Sequence, residues 1–170
     1  MMQKFGYKNK MAVPSIRKVV LNSSFGKEAV GKTGAEREKM QNLILQDLSL
    51  IAGQKPNLVK SKKSIAGFKL RQGLEIGAVV TLRKGRMWDF LERLVYLSLP
   101  RSRDFKGIDP KSIDKRGNLS IGFKEHIMFP EIFTEKEKTI FGLETTVVTN
   151  AKSKEEGLEL YKLMGFPIKG

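Results

Sequence analysis

The sequence predicts an α+β fold: an antiparallel sheet with helices packed on one face and a basic loop projecting from it. Four short segments alternate apolar and polar residues with the period of two that sends successive side chains to opposite faces of a strand. Three longer segments repeat apolar residues at helical spacing. The two kinds are mixed along a chain of 170 residues, a length that fits one domain over residues 1–170.

From Ile16 to Ser24, Val19 and Leu21 point one way, and Lys18, Val20, Asn22 and Ser24 the other. Thr33-Gly34-Ala35-Glu36 is a capping-box pattern, and the helix after it carries Met40, Ile44, Leu48 and Ile51 on one stripe. Gly53 suits its C-terminal cap and Pro56 confirms the stop. Gly67 and Gly73 bracket Phe68-Lys69-Leu70-Arg71-Gln72, read as the projecting loop. Ile76, Ala78, Val80 and Leu82 form the core face of the next strand. Arg86 to Leu99 reads as a helix with Met87, Phe90, Leu91, Leu94 and Ser98 inside, ended by Pro100. Asp104, Asp109 and Asp114 are turn residues of an irregular stretch. Leu119, Ile121 and Phe123 mark a strand, and Phe141, Leu143, Thr145 and Val147 the last one. Ser153 to Glu156 opens a C-terminal helix through Leu158, Tyr161 and Met164.

Composition bounds the function. Hydrophobic residues make up 40%, enough for a core, yet no apolar run spans a membrane. Lys4, Lys8 and Lys10 precede no apolar stretch, so no secretory signal is expected. Without cysteine there is no disulfide or thiolate metal site, and the reducing cytoplasm is the expected compartment. The single histidine, His126, makes no metal cluster and has no nucleophile and acid paired with it, so a surface or RNA-side position is expected. Neither a metal nor another cofactor is expected.

Charge is the strongest signal. Thirty-two Lys and Arg stand against 18 Asp and Glu, a net charge of +14. Such an excess repels itself in a folded chain and calls for a polyanion: RNA, DNA or an anionic membrane. The helices lack the Lys face and bulky apolar face of a membrane-surface helix. Residues 55–86 hold Lys55, Lys60, Lys62, Lys63, Lys69, Arg71, Arg83, Lys84 and Arg86 with one acid, Glu75, so nine cations minus one anion leave +8.

One motif points elsewhere. Gly26-Lys27-Glu28-Ala29-Val30-Gly31-Lys32-Thr33 matches the phosphate-loop pattern between a strand and a helix. There Lys32 would meet the outer phosphates and Thr33 a magnesium ion. The second magnesium ligand, an Asp at another strand end, is missing: those ends read Leu82-Arg83-Lys84 and Val148-Thr149-Asn150. Gly26 and Gly31 also serve to shape a turn, with Thr33 the N-cap of the next helix. A small NTPase is therefore the alternative reading, and a basic DNA-binding protein a third.

Longer strings decide among these. Gly53-Gln54-Lys55-Pro56 leads to Lys62-Lys63-Ser64-Ile65-Ala66-Gly67-Phe68-Lys69-Leu70-Arg71-Gln72-Gly73, then Ile76-Gly77, Val80-Thr81-Leu82-Arg83 and Arg86-Met87-Trp88. Pro100-Arg101-Ser102-Arg103-Asp104-Phe105-Lys106-Gly107, Gly117-Asn118, Phe129-Pro130-Glu131-Ile132 and Gly165-Phe166-Pro167 follow in order. From about Phe5 to Gly170 the chain resembles the bacterial-type large-subunit ribosomal protein family number five. The resemblance implies a structural protein, not an enzyme, that binds 5S rRNA in the central protuberance. It implies further contacts to large-subunit rRNA, to the elbow of the peptidyl-site tRNA through the loop, to neighbouring 5S-associated proteins, and to a small-subunit head protein across a bridge. The compartment it implies is the cytoplasm, with an organellar ribosome of bacterial type the other. The family has a further helix before Phe5-Gly6-Tyr7 that this sequence mostly lacks.

Carried onto this chain, the resemblance makes Lys18, Asn22, Ser24, Gln54, Lys60, Lys62, Lys63, Ser64, Thr81 and Arg83 the 5S rRNA residues. Amide, hydroxyl and ammonium groups on an open sheet face can reach ribose hydroxyls and phosphates. Phe68, Lys69, Leu70, Arg71, Gln72 and Gly73 form the tRNA-contact loop, where Phe68 either stacks on a nucleotide or packs the loop against itself. Trp88, Phe90 and Tyr96 read as core or subunit-facing.

Overall fold

The computed structural model describes residues 1–103, 105–132 and 140–169. Its elements are α1 (Met2–Phe5), β1 (Ile16–Ser24), α2 (Gly26–Val30), α3 (Gly34–Ala52), β2 (Asn57–Lys60), β3 (Glu75–Leu82), α4 (Lys84–Arg93), α5 (Leu99–Arg101), β4 (Leu119–Phe123), β5 (Leu143–Thr149) and α6 (Lys154–Leu163). The strands form one five-stranded antiparallel sheet in the order β2-β3-β1-β5-β4, so the fold is α+β. Residues group into two compact units. The first comprises Met1–Val20, Leu82–Ile121 and Thr145–Gly170, the second Leu21–Thr81 and Gly122–Glu144.

In the second unit, α3 begins with the expected cap: Glu36 Oε2 accepts from Thr33 N at 3.1 Å and from Thr33 Oγ1 at 2.9 Å. These hydrogen bonds, the backbone one foremost, hold the Glu36 carboxyl below its ordinary range. Met40, Ile44, Leu48 and Ile51 are buried, and Gly53 ends the helix in the left-handed conformation at φ 65°. Leu21, Phe25, Ala78, Val80, Phe129, Phe141 and Leu143 are also part of this core. His126 overturns the expectation of a surface residue, for it is wholly buried. Its ring stacks on Phe141 at 3.8 Å, its Nε2 meets Asp47 Oδ2 at 3.1 Å, and its Nδ1 accepts from Phe141 N at 3.4 Å. Both ring nitrogens thus have partners, which is what permits a buried imidazole.

In the first unit, Met87, Phe90, Leu91, Leu94 and Ser98 are buried, as the helical stripe predicts, and Leu99 is buried beside them. The helix does not end at Pro100. A π-helical turn over Leu94–Ser98 shifts the ladder, so that Leu99 N bonds Leu94 O. Pro100 then sits in the first turn of the short α5, where its missing N–H costs little. Asp109 and Asp114 are turn residues, accepting from Lys111 N and from Arg116 N and Asn118 N, each at 2.8 Å. Burial pushes the Asp114 carboxyl up, but bonds from the Asn118 side chain and from the two backbone amides outweigh it and leave the group lowered. Asp104 lies outside the described residues.

Two ties fasten the N-terminal segment to α6. Tyr7 Oη donates to Glu156 Oε1 and Lys4 Nζ to Glu159 Oε2, both at 2.6 Å. The first bond pushes the Tyr7 phenol up to about 12 and holds the Glu156 carboxyl down. Ser153 Oγ caps α6 by accepting from Glu156 N at 3.3 Å, whereas the Glu156 carboxylate takes Lys152 N at 2.8 Å. Tyr161 is buried with its hydroxyl on Gly117 O at 3.0 Å and Val147 O at 3.2 Å.

That hydroxyl sits where two backbones nearly touch. A Cβ at Gly157 would lie 2.5 Å from Gly117 Cα, and Gly117 itself has φ +73°. No side chain fits between them without moving main chain. Gly157→Ala is therefore expected to lower stability by about 1–3 kcal/mol or more. Gly122→Ala, where nothing lies within 4 Å, should stay within about 0.5 kcal/mol. Chemical denaturation midpoints of both variants check this, and equal midpoints would contradict the close approach.

Candidate nucleic-acid interface

β1 separates its faces as predicted. Val19, Leu21 and Ser23 are buried, with Ser23 Oγ donating to Gly142 O at 3.0 Å. Lys18 and Asn22 are half-buried and Ser24 is exposed on the opposite face. Of the predicted RNA residues, Asn22, Ser24, Gln54, Lys60, Lys62, Lys63, Ser64 and Thr81 fall in the second unit, and Lys18 and Arg83 in the first.

The strand β2 gave no sequence signal. Its four residues, Asn57–Lys60, are all exposed, so no apolar alternation marks them. Pairing with β3 nevertheless sets which side chains share a face: Asn57 lies opposite Val79, Val59 opposite Gly77, and Lys60 opposite Glu75 beyond a bulge. Directly opposed residues face the same way. Asn57 and Val59 therefore share the side of β3 that bears exposed Thr81, away from buried Ala78 and Val80. Lys60 Nζ is 3.9 Å from Glu75 Oε1, the one acid of the basic block. Lys62 and Lys63 are exposed and have no ion-pair partner among the described residues.

The connection from β2 to β3 is an ordered hairpin. Ser61 N bonds Leu74 O at 2.8 Å and Gly73 N bonds Ser61 O at 2.9 Å. Farther out, Ile65 and Leu70 exchange backbone bonds of 2.9 and 3.1 Å around a tight turn at Ala66–Phe68. Ser64 Oγ accepts from Gln72 N at 2.9 Å, so this predicted RNA residue also braces the turn, leaving its O–H to donate. Gln54 Nε2 likewise bonds Thr81 O at 3.0 Å, tying the end of α3 to β3.

At the turn, Phe68 is 71% exposed and does not pack the loop against itself. Lys69, Arg71, Gln72 and Gly73 are exposed and Leu70 is half-buried. Lys69, at φ 49°, and Lys84, at φ 53°, are the two non-glycine residues of positive φ among those described. Both lie in the basic block. A left-handed non-glycine residue costs about 1–2 kcal/mol, so each of the two is held by its surroundings.

The phosphate-loop pattern has other employment. α2 occupies Gly26–Val30, a helix where the sequence suggests a turn. Lys32 Nζ lies 3.1 Å from Met40 Sδ, and Thr33 Oγ1 is committed to Glu36. The two side chains that would meet phosphate and magnesium thus face α3. Among the described residues, no group of three or more His, Asp or Glu could hold a metal ion, and no helix is long and apolar enough to cross a membrane.

Comparison with known proteins assigns the chain. Residues 9–71 match the family model described as Ribosomal protein L5, and residues 75–168 match the model for the C-terminus of the same ribosomal family. This chain belongs to the uL5 family of large-subunit ribosomal proteins. It is 49% identical to the large ribosomal subunit protein uL5 of Halothermothrix orenii over 168 residues, 99% of this chain and 90% of that one. With the uL5 of Geotalea daltonii it is 50% identical over 169 residues, 99% and 91% of the two chains. The uL5c of Tetradesmus obliquus is 49% identical over 164 residues, 96% and 88% of the two. Members of the uL5 family are structural ribosomal proteins, so this one is not an enzyme. Lys32→Ala is accordingly expected to leave stability within about 0.5 kcal/mol of wild type, as at other surface positions, and the wild type to hydrolyse neither ATP nor GTP. Saturable nucleotide binding in an equilibrium titration, abolished in the variant, would restore the phosphate-loop reading.

Proposed function

We propose that this uL5 protein binds 5S rRNA in the central protuberance of the large subunit, and that its residues Phe68–Gly73 meet the peptidyl-site tRNA. The observation that supports it best is the placement of charge in the second unit. Lys62 and Lys63 stand exposed at the base of the hairpin, without an ion-pair partner among the described residues, and Asn22, Ser24 and Thr81 occupy outward positions of β1 and β3. Ammonium groups neutralise phosphates, while amides and hydroxyls reach ribose 2′-hydroxyls, which double as donor and acceptor. Lys18 and Arg83 extend the same pattern along β1 and just past the end of β3. Lys60, Gln54 and Ser64 join the RNA surface while also bracing it. Exposed Phe68 between Ala66–Gly67 and Lys69 offers a stacking face with cations beside it. Large-subunit rRNA, the neighbouring 5S-associated proteins and a small-subunit head protein complete the proposed partners. A ribosome of the cytoplasm or of a bacterial-type organelle is the proposed location.

Binding to 5S rRNA should weaken steeply with salt, because each neutralised phosphate releases counterions. A log–log slope of magnitude about 3–7 is expected from about 4–8 phosphate contacts. Filter binding at a series of KCl concentrations measures it, and a nearly flat line would mean that the basic excess is not the binding surface.

The base of the hairpin and its tip should separate by function. Replacing Lys62 and Lys63 together by Ala is expected to weaken 5S rRNA binding by about 1–3 kcal/mol, as charge-assisted contacts do. Replacing Phe68–Gln72 by a two-glycine turn removes as many cations, Lys69 and Arg71, yet should leave that affinity within about 0.5 kcal/mol. Its effect should appear in assembled ribosomes as weaker retention of peptidyl-site tRNA. Equal loss of 5S rRNA binding in both variants would show that charge alone explains the block.

A further inference from the structure

The solvent side of α4 has a different character from the basic hairpin. Two files of residues four apart run along it: Trp88, Glu92 and Tyr96, and beside them Asp89, Arg93 and Leu97. Trp88 is 46% exposed, Tyr96 65% and Leu97 49%. Side chains this large are ordinarily buried, and three within ten residues on one helix surface make a patch rather than a scatter. The π-helical turn over Leu94–Ser98 helps to make it. The wider turn keeps Leu94, Val95 and Ser98 buried while bringing both Tyr96 and Leu97 to the surface.

Asp89, Glu92, Arg93, Tyr96 and Leu97 line an open hollow of about 380 Å³. Its charge runs against that of the chain. Two carboxylates and one guanidinium leave −1 there, on a molecule whose net charge is +14. With 32 cations to draw on, neither Asp89 nor Glu92 has an ion-pair partner among the described residues. Arg93 Nε donates to the Asp89 backbone oxygen at 3.3 Å. Phosphate is repelled by unpaired carboxylates, so the exposed rings are not a nucleotide-stacking platform. A second copy is disfavoured too, because it would bring +14 against +14.

We infer that this face of α4 and the π-helical turn is a docking surface for a basic protein segment that carries apolar side chains. Trp88, Tyr96 and Leu97 supply the apolar contact area, and aromatic anchors are what such interfaces use most. Asp89 and Glu92 select a cationic strand and turn away nucleic acid. The chain would then hold two surfaces of opposite sign, a basic one for RNA and this one for protein. The inference is independent of the proposed RNA contacts.

Trp88 is the single tryptophan, so its fluorescence reads the patch directly. The full chain is titrated with a short peptide alternating Arg and Leu, with the same peptide carrying Glu for Arg, and with a single-stranded RNA oligonucleotide. The expected result is a saturable blue shift of Trp88 with the basic peptide alone. Asp89→Lys with Glu92→Lys should weaken that response about tenfold while 5S rRNA affinity and the far-ultraviolet circular dichroism stay unchanged. Both positions are exposed, so folding is not at stake. A second variant, Tyr96→Ser with Leu97→Ser, should abolish the response with both charges kept. An equal shift with the acidic peptide, a shift with RNA, a shift on raising protein concentration alone, or no saturable response to the basic peptide each overturns the inference.

Discussion

β1 is paired along both edges, by β3 on one side and β5 on the other. Its backbone donors and acceptors are consumed in those ladders, and only its two faces remain to be settled. Val19, Leu21 and Ser23 go inward, and Lys18, Val20, Asn22 and Ser24 go outward. A slip of one residue in either ladder would expose Val19 and Leu21 and bury Lys18 and Asn22, reversing every side chain at once. The core and the candidate RNA residues therefore depend on one register. Ser23 meets the constraint as a polar residue on the core face by donating to Gly142 O. Thr145 on β5 is also buried, without a partner for its hydroxyl among the described residues.

The edge of the sheet carries a second constraint. β2 offers an unpaired backbone edge, the kind of template on which chains aggregate. It is four residues long, has a bulge before Lys60, and leads into Lys62 and Lys63. Short length, a bulge and lysine are the devices that discourage edge pairing. The same lysines are the ones proposed to neutralise phosphate. One placement of charge can thus keep the free protein soluble and prepare it for RNA.

The hairpin and the solvent face of α4 also differ in how each is held. The hairpin between β2 and β3 is braced by backbone pairs and by the Ser64 hydroxyl, with Lys69 in a left-handed turn. The solvent face of α4 rests on a buried stripe of Met87, Phe90, Leu91 and Leu94. Each surface is presented by a local element whose opposite side or own hydrogen bonds supply its rigidity.

By itself the sequence determined the periodic elements. β1, α3, β3, the buried stripe of α4, and β4 to α6 were legible because alternation and helical spacing are local properties, and because Thr33, Gly53 and Ser153 punctuate them with known cap chemistry. It also showed where the positive charge concentrates and, through long ordered strings, which family the chain resembles. What depended on distant partners was out of reach. β2 has no pattern of its own and exists because β3 is there to pair with it. His126 is buried only because Asp47, some 79 residues away, and Phe141 satisfy its ring. Pro100 stays within a helical run because the π-helical turn before it had already shifted the ladder. The phosphate-loop pattern was a local match whose Lys32 and Thr33 are claimed by α3. Trp88 and Tyr96 could have been core or surface, and only packing placed them outside. A residue's period is written in its neighbours along the chain, whereas its partners are chosen by the fold.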